Sequence, residues 1–271
     1  MSDAGPRAVA AFTALIAVLA SLVSGAQPSP RPPPDMRPIR GGTFVPFYRL
    51  AALPRVTVRP YLLDTRPVTN ARFLEFVRAN PAWQRSRVVR LYADAEYLSH
   101  WSGDAELGPQ ALPEQPVTRV SWFAARAFCR SVGRRLPTEG EWEYVARASD
   151  TRPDQPRDPA TMARITAWYG RPGTAALGVV GAGRPNYWGI HDMHGLIWEW
   201  VEDFNSALVV TDSRDSTGPG ASRFCGAASL GARDTGDYVA FMRYAFRQSL
   251  RGAYTVHNLG FRCASDLAPP R

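Results

Sequence analysis

Residues 241–263 read FMRYAFRQSLRGAYTVHNLGFRC, with Arg243, Arg247, Arg251 and Arg262, aromatic rings between them, and one thiol, Cys263. Guanidiniums at this density can hold a carboxylate or phosphate bidentately, or lock acidic side chains inside a fold. Arg243 and Arg247 are expected either to pair with Asp234 or Asp237 or to bind an anionic ligand; with Trp188 and Tyr244 they are the candidate cleft residues. A second group lies upstream, with His191, Met193 and His194 in "HDMH" and Cys225 in "RFCGAASLGARD". Two imidazoles, a thioether and a thiol make a soft donor set suited to copper, if they converge. The i,i+3 histidines share a face in a helix and point to opposite faces in a strand. The plain alternatives are hydrogen-bonded core histidines and a buried thiol. GxSxG, P-loop and HExxH patterns are absent, so no hydrolase, nucleotide-binding or zinc-protease signature is present.

Short elements must position these groups. In "PVTNARFLEFVRAN", Thr69 or Asn70 can cap a helix that carries Phe73, Phe76 and Val77 on one face. "SWFAARAFCRSVG" predicts a helix capped by Ser121, with Trp122, Ala125, Phe128 and Cys129 on one face and Gly133 ending it. "LPTEGEWEYVARA" carries a capping box, Thr138 to Glu141, with Trp142, Val145 and Ala146 on one face. "GGTFVPFY" and "RVTVRPYLLD" read as strands, with a turn at Gly41-Gly42. "SDTRPDQPRDPATM" and "NSALVVTDSRDSTGPGAS" show no period and read as long loops. The sum is one α+β domain with little regular structure and no internal repeat.

The N-terminus bears on compartment. "MSDAGPR" and the apolar run "AVAAFTALIAVLASLV" precede Ser24 and Ala26, which stand at small-residue positions before a cut ahead of Gln27. That is the pattern of a cleaved secretory signal over 1–26, leaving no membrane span and a periplasmic or extracellular protein; an uncleaved anchor is the alternative. A proline-rich linker over 27–38, a domain over 39–264 and a tail over 265–271 complete the expected layout. Disulfides persist outside the cytoplasm, and three cysteines allow one pair plus one free thiol. The net charge of +8 arises from arginines scattered singly or in pairs. No basic block or nucleic-acid motif accompanies it, so a nucleic-acid partner is not expected.

Four segments in order, "DTRPVTNARFLEFV", "QPVTRVSWFAARAFCRSVGRRLPTEGEWEYVARA", "GIHDMHGLIWEWVEDF" and "NLGFRCA", resemble the formylglycine-generating enzyme (sulfatase-modifying factor) family. The resemblance spans nearly the whole mature chain, and it implies a C-type-lectin-like fold with a surface cleft. It also implies a disulfide between Cys129 and Cys263. Family enzymes that oxidise a client cysteine use two further cysteines that bind copper(I); the resemblance sets them at Val239 and Tyr244, and neither is a thiol. A family calcium ligand is replaced by Leu196, beside Glu199.

"DMHGLIWEWVEDF" and "DYVAFMRYAFRQSL" are similar to a subgroup associated with copper nitrite reductases and copper chaperones. The expected function is an exported maturation or accessory factor acting on a partner redox or copper enzyme. The alternatives are a non-catalytic lectin-like module that binds protein or glycan, and an oxidase built on a different metal arrangement.

Overall fold

The proline tract ends inside the sheet. In the computed structural model, which describes Met1 and residues 32–47, 55–172, 175–204 and 237–267, strand β1 is Met36–Ile39. It pairs antiparallel with strand β4 (Tyr61–Asp64), and both Met36 and Ile39 are buried. The fold thus begins ahead of Ile39, the expected start. Pro38 is accommodated because β1 is the edge of a sheet ordered β1-β4-β7, where a missing N–H can face away from the ladder. At the other end, strand β7 (Ala264–Asp266) pairs with the far side of β4 and draws two residues from the expected tail. A hairpin of β2 (Gly42–Phe44) and β3 (Val56–Val58) lies between β1 and β4 in the chain. It is entered through Gly41, whose φ is 73° and where a Cβ would lie 2.4 Å from the Val58 carbonyl oxygen. The leader, Cys225 and Asp234 lie outside the described residues.

Three helices form where caps and periodicity place them. Helix α1 (Asn70–Ala79) starts at Thr69, whose hydroxyl accepts from the Arg72 amide, and it buries Phe73, Phe76 and Val77. Helix α2 (Trp122–Ser131) is capped by Ser121 and buries Ala125, Phe128 and Cys129. Helix α3 (Glu139–Ala146) has both halves of the Thr138–Glu141 capping box. Phe73 and Phe128 pack at 5.7 Å, and Phe261 closes on Phe128 at 5.4 Å. Each such pair adds about 1 kcal/mol beyond its buried area.

Two further helices stand where no period was visible. Helix α4 (Pro159–Tyr169) lies partly within a stretch expected to be loop; Asp158 caps it and Pro159 occupies its first turn. Only Thr161 and Ile165 of α4 are buried, so its apolar stripe is too narrow to read. Helix α5 (Tyr238–Ser249) is capped by Asp237 and buries Val239, Arg243 and Arg247 at helical spacing. Ala240 and Tyr244 are buried as well, so the inner face is apolar except for its two arginines, which a hydrophobic pattern counts as surface.

The segment before β7 threads the core. Strand β6 (Leu259–Gly260) pairs in parallel with β5 (Trp198–Glu199). A Cβ at Gly260 would lie 2.3 Å from the Val117 carbonyl oxygen, so only glycine fits. Arg262 is fully buried; its Nε and Nη2 donate to the two Glu199 carboxylate oxygens, each at 2.8 Å. Its remaining contacts go to the backbone carbonyls of Asp64 at 3.2 Å and His191 at 2.9 Å. Cys263 is joined to Cys129 by a disulfide with Cα atoms 5.6 Å apart across a separation of 134 residues. In the chain-entropy account such a loop contributes about 4–5 kcal/mol.

Removing one partner of a buried ion pair strands the other charge. Arg262→Ala is therefore expected to lower unfolding stability by about 3–5 kcal/mol, read from denaturant melts. A loss below about 1 kcal/mol would show that water reaches Glu199.

Candidate functional site

Helix α5 is clamped to α3 by charge. Arg243 donates to Glu143 through Nε at 3.2 Å and Nη2 at 2.9 Å, while Arg247 Nη1 reaches the same carboxylate at 2.6 Å. Glu143 is the partner, and not Asp237, whose carboxylate instead accepts from the Ala240 amide at the start of α5. A capping side chain folds back on its own first turn and cannot serve the inner face a turn or two further on. The Arg247 guanidinium also lies over the Trp142 ring, 4.5 Å from its centroid. Trp142 Nε1 in turn donates to Glu199 at 2.8 Å, so the clamp joins the Arg262 pair.

Beside the clamp lies a cavity of about 220 Å³, lined among others by Phe47, His194, Val239, Arg243 and Tyr244. Phe47 stacks on Tyr244 with centroids 5.5 Å apart. Val239 and Tyr244 both line this cavity, and no cysteine occurs anywhere from 226 to 262. Copper(I) held by thiolates does not fit these residues. The expected cleft set divides. Arg243 and Tyr244 share the cavity, Arg247 lies with Arg243 on a cavity of about 10 Å³, and Trp188 packs elsewhere against Tyr144 at 5.6 Å.

The two histidine rings of "HDMH" turn to different backbone carbonyls. Asp192 takes a φ of 57°, so the segment is neither helix nor strand. His191 Nδ1 lies 2.9 Å from the Gly183 carbonyl oxygen, and His194 Nε2 lies 2.9 Å from that of Ala146. Each of these nitrogens must carry the proton, because a carbonyl only accepts. Met193 is buried in the core. Burial, with Arg243 nearby, lowers His194 to about 3 and keeps it neutral. No group of three His, Cys, Asp or Glu side chains among the described residues could hold a metal ion. Calcium does not fit either, since Leu196 offers no side-chain oxygen and Glu199 is taken up by Arg262 and Trp142. Glu143 and the α4 residues Thr161 and Ile165 also line the cavity, and no sequence motif marks them. The usable signal was Glu143 on the clearly capped helix α3, facing a chain rich in arginine.

Two carboxylates at the clamp titrate in opposite senses. Burial alone would raise Glu143, but Arg243 and Arg247 outweigh it and hold the acid at about 2. Burial pushes Glu139 up to about 7; Arg247 pulls against this, while Glu143 and Asp203 add to it. A folded-state value above the ordinary 4.5 means that the folded protein favours protonated Glu139. That contribution is complete below about 4.5 and is lost as the pH rises through about 7. Melting temperature is therefore expected to fall across that window in the native protein and to fall less in Glu139→Gln. Equal slopes in the two proteins would refute the assignment.

The sulfatase-modifying factor enzyme 1-like domain matches residues 23–267. Over 252 residues the chain is 32% identical to the formylglycine-generating enzyme of Streptomyces coelicolor, covering 78% of this chain and 80% of that one. It is 31% identical over 254 residues to the inactive C-alpha-formylglycine-generating enzyme 2 of Bos taurus, covering 79% and 80%. Among solved structures, PvdO from Pseudomonas aeruginosa matches with a TM-score of 0.49 and 20% identity, over 86% of this chain and 94% of that one. The mixed helix-and-sheet architecture with short strands is the α+β fold of formylglycine-generating enzymes. On this sequence match, the chain belongs to the sulfatase-modifying factor family.

Proposed function

We propose that this protein is an exported accessory factor of its family, which binds a partner redox or copper enzyme during maturation and does not oxidise protein cysteine. The carrying observation is the cavity of about 220 Å³ beside α5, which is lined by Val239 and Tyr244 while no residue of that helix is a thiol. Cysteine oxidation in this family relies on thiolates that hold copper(I); valine and a phenol cannot replace them. Burial raises Tyr244 well above the ordinary tyrosine value, so its ring stays neutral and acts as a wall. What remains is a binding surface. Support for a redox or copper partner comes from the resemblance of residues 192–204 and 237–250 to the copper-associated subgroup. Support for export comes from the leader, with Ser24 and Ala26 before Gln27. No described helix is long and apolar enough to cross a membrane.

Two measurements test the reading. Purified protein incubated with copper(I), oxygen and a sulfatase cysteine peptide is expected to leave the thiol intact by mass spectrometry. Conversion to the aldehyde above a protein-free control would overturn the non-oxidising assignment. N-terminal sequencing of the protein recovered from a native host is expected to start at Gln27. Recovery of a chain starting at Met1 would remove export by cleavage.

A further inference from the structure

Helix α4 runs beside three cavities in a row. The first is the cavity under Val239 and Tyr244, about 220 Å³; the second is about 530 Å³ and the third about 150 Å³. Thr161, Ile165 and His194 line both the first and the second. Trp168, Arg171 and Leu196 line both the second and the third. Thr161, Ile165 and Trp168 are spaced i, i+4 and i+7, which is one face of a helix. The row therefore follows one flank of α4. From Thr161 to Trp168 that flank is about 10 Å long, the span of about three residues of extended chain, and Arg171 lies just past the end of the helix.

The charge along this flank is unbalanced. Arg164, Arg171 and Arg184 line the middle cavity, against Asp150 and Asp192. Arg164 and Asp150 face each other at 3.4 Å, and Asp192 accepts from the Gly181 amide at 2.5 Å. Arg171 and Arg184 are exposed and make no ion pair among the described residues. Between the arginines the floor is apolar, with Ile165, Ile190 and Met193 buried. A polyphosphate or sulfated glycan is served by continuous basic lining; an apolar floor with charge at its rim suits a polypeptide that alternates acidic and apolar side chains.

We propose that the flank of α4 is the docking trough for an extended acidic segment of the partner protein, with Arg171 and Arg184 as its ion-pair anchors. The inference rests on the partner-binding reading above and adds the chemistry of the segment. Rim arginines of this kind act on encounter and on salt dependence.

The test uses fluorescence anisotropy with labelled ten-residue peptides of alternating Asp and Leu, Ser and Leu, or Arg and Leu, beside a heparin fragment. The acidic peptide is expected to bind at least about tenfold more tightly than the neutral one, and progressively less as salt is added. Arg171→Glu/Arg184→Glu is expected to weaken it by about tenfold or more. The charge-matched control Arg87→Glu/Arg130→Glu, at exposed positions away from the trough, is expected to change it by less than about twofold. All four positions are exposed, so folding should be preserved. Equal losses in the two double variants would reduce the effect to the general +8 charge and overturn the proposal. So would tighter binding of heparin than of the acidic peptide, or no preference among the peptides. Failure here with an intact thiol in the oxidation assay sinks only the trough, whereas aldehyde formation sinks the accessory reading itself.

Discussion

One guanidinium with no water around it holds the molecule in register. Arg262 sits between β6 and β7, and four of its five N–H groups reach acceptors on three separate stretches: Glu199, Asp64 and His191. Burying such an ion costs several kcal/mol, and the cost is recovered only when geometry and partners are complete. Here they are nearly so. Glu199 takes Arg262 on both oxygens and Trp142 on one, and Asp64, whose backbone carbonyl meets Arg262, accepts through its carboxylate from the Cys263 amide at 2.9 Å and from Arg134 at 2.5 Å. The disulfide to α2 starts from the next residue, so covalent and ionic ties meet at one point in the chain.

The same device recurs at the site. Helix α5 is fixed over α3 by Glu143 between Arg243 and Arg247, and Trp142 connects that clamp to Glu199. None of these contacts involves sulfur. These polar contacts run through Arg243 and Arg247, and neither Val239 nor Tyr244, where the resemblance sets the family's cysteines, takes part in them. Scaffold and reactivity are separable because different side chains carry them.

That division also explains what the sequence disclosed. Helices α1, α2 and α3 were legible because Thr69, Ser121 and Thr138 are strong caps followed by apolar residues at helical spacing. Helix α4 is masked by a stripe of only two buried residues, and α5 by two arginines that interrupt its inner face. The arginines stand out in the sequence, and the acids nearest to them there are Asp234 and Asp237, but the fold brings Glu143 from 100 residues away. His191 and His194 looked like a pair by spacing. The left-handed residue between them, Asp192, sends each ring to a different carbonyl, and a single non-glycine residue at positive φ leaves no readable trace in a sequence.

The clamp is not electrically closed. Two guanidiniums against one carboxylate leave a surplus positive charge within the α3–α5 joint, and Glu139 is the group placed to cancel it, 3.4 Å from Arg247. Burial together with the nearby Glu143 and Asp203 opposes its ionisation, with Arg247 favouring it, so the balance falls at about 7. The joint that shapes the cavity therefore changes charge near neutrality, whereas the Arg262–Glu199 pair deeper in the fold is matched one to one. The pair matched one to one lies where the chain is threaded through the core, and the joint whose balance falls near neutrality lies beside the cavity.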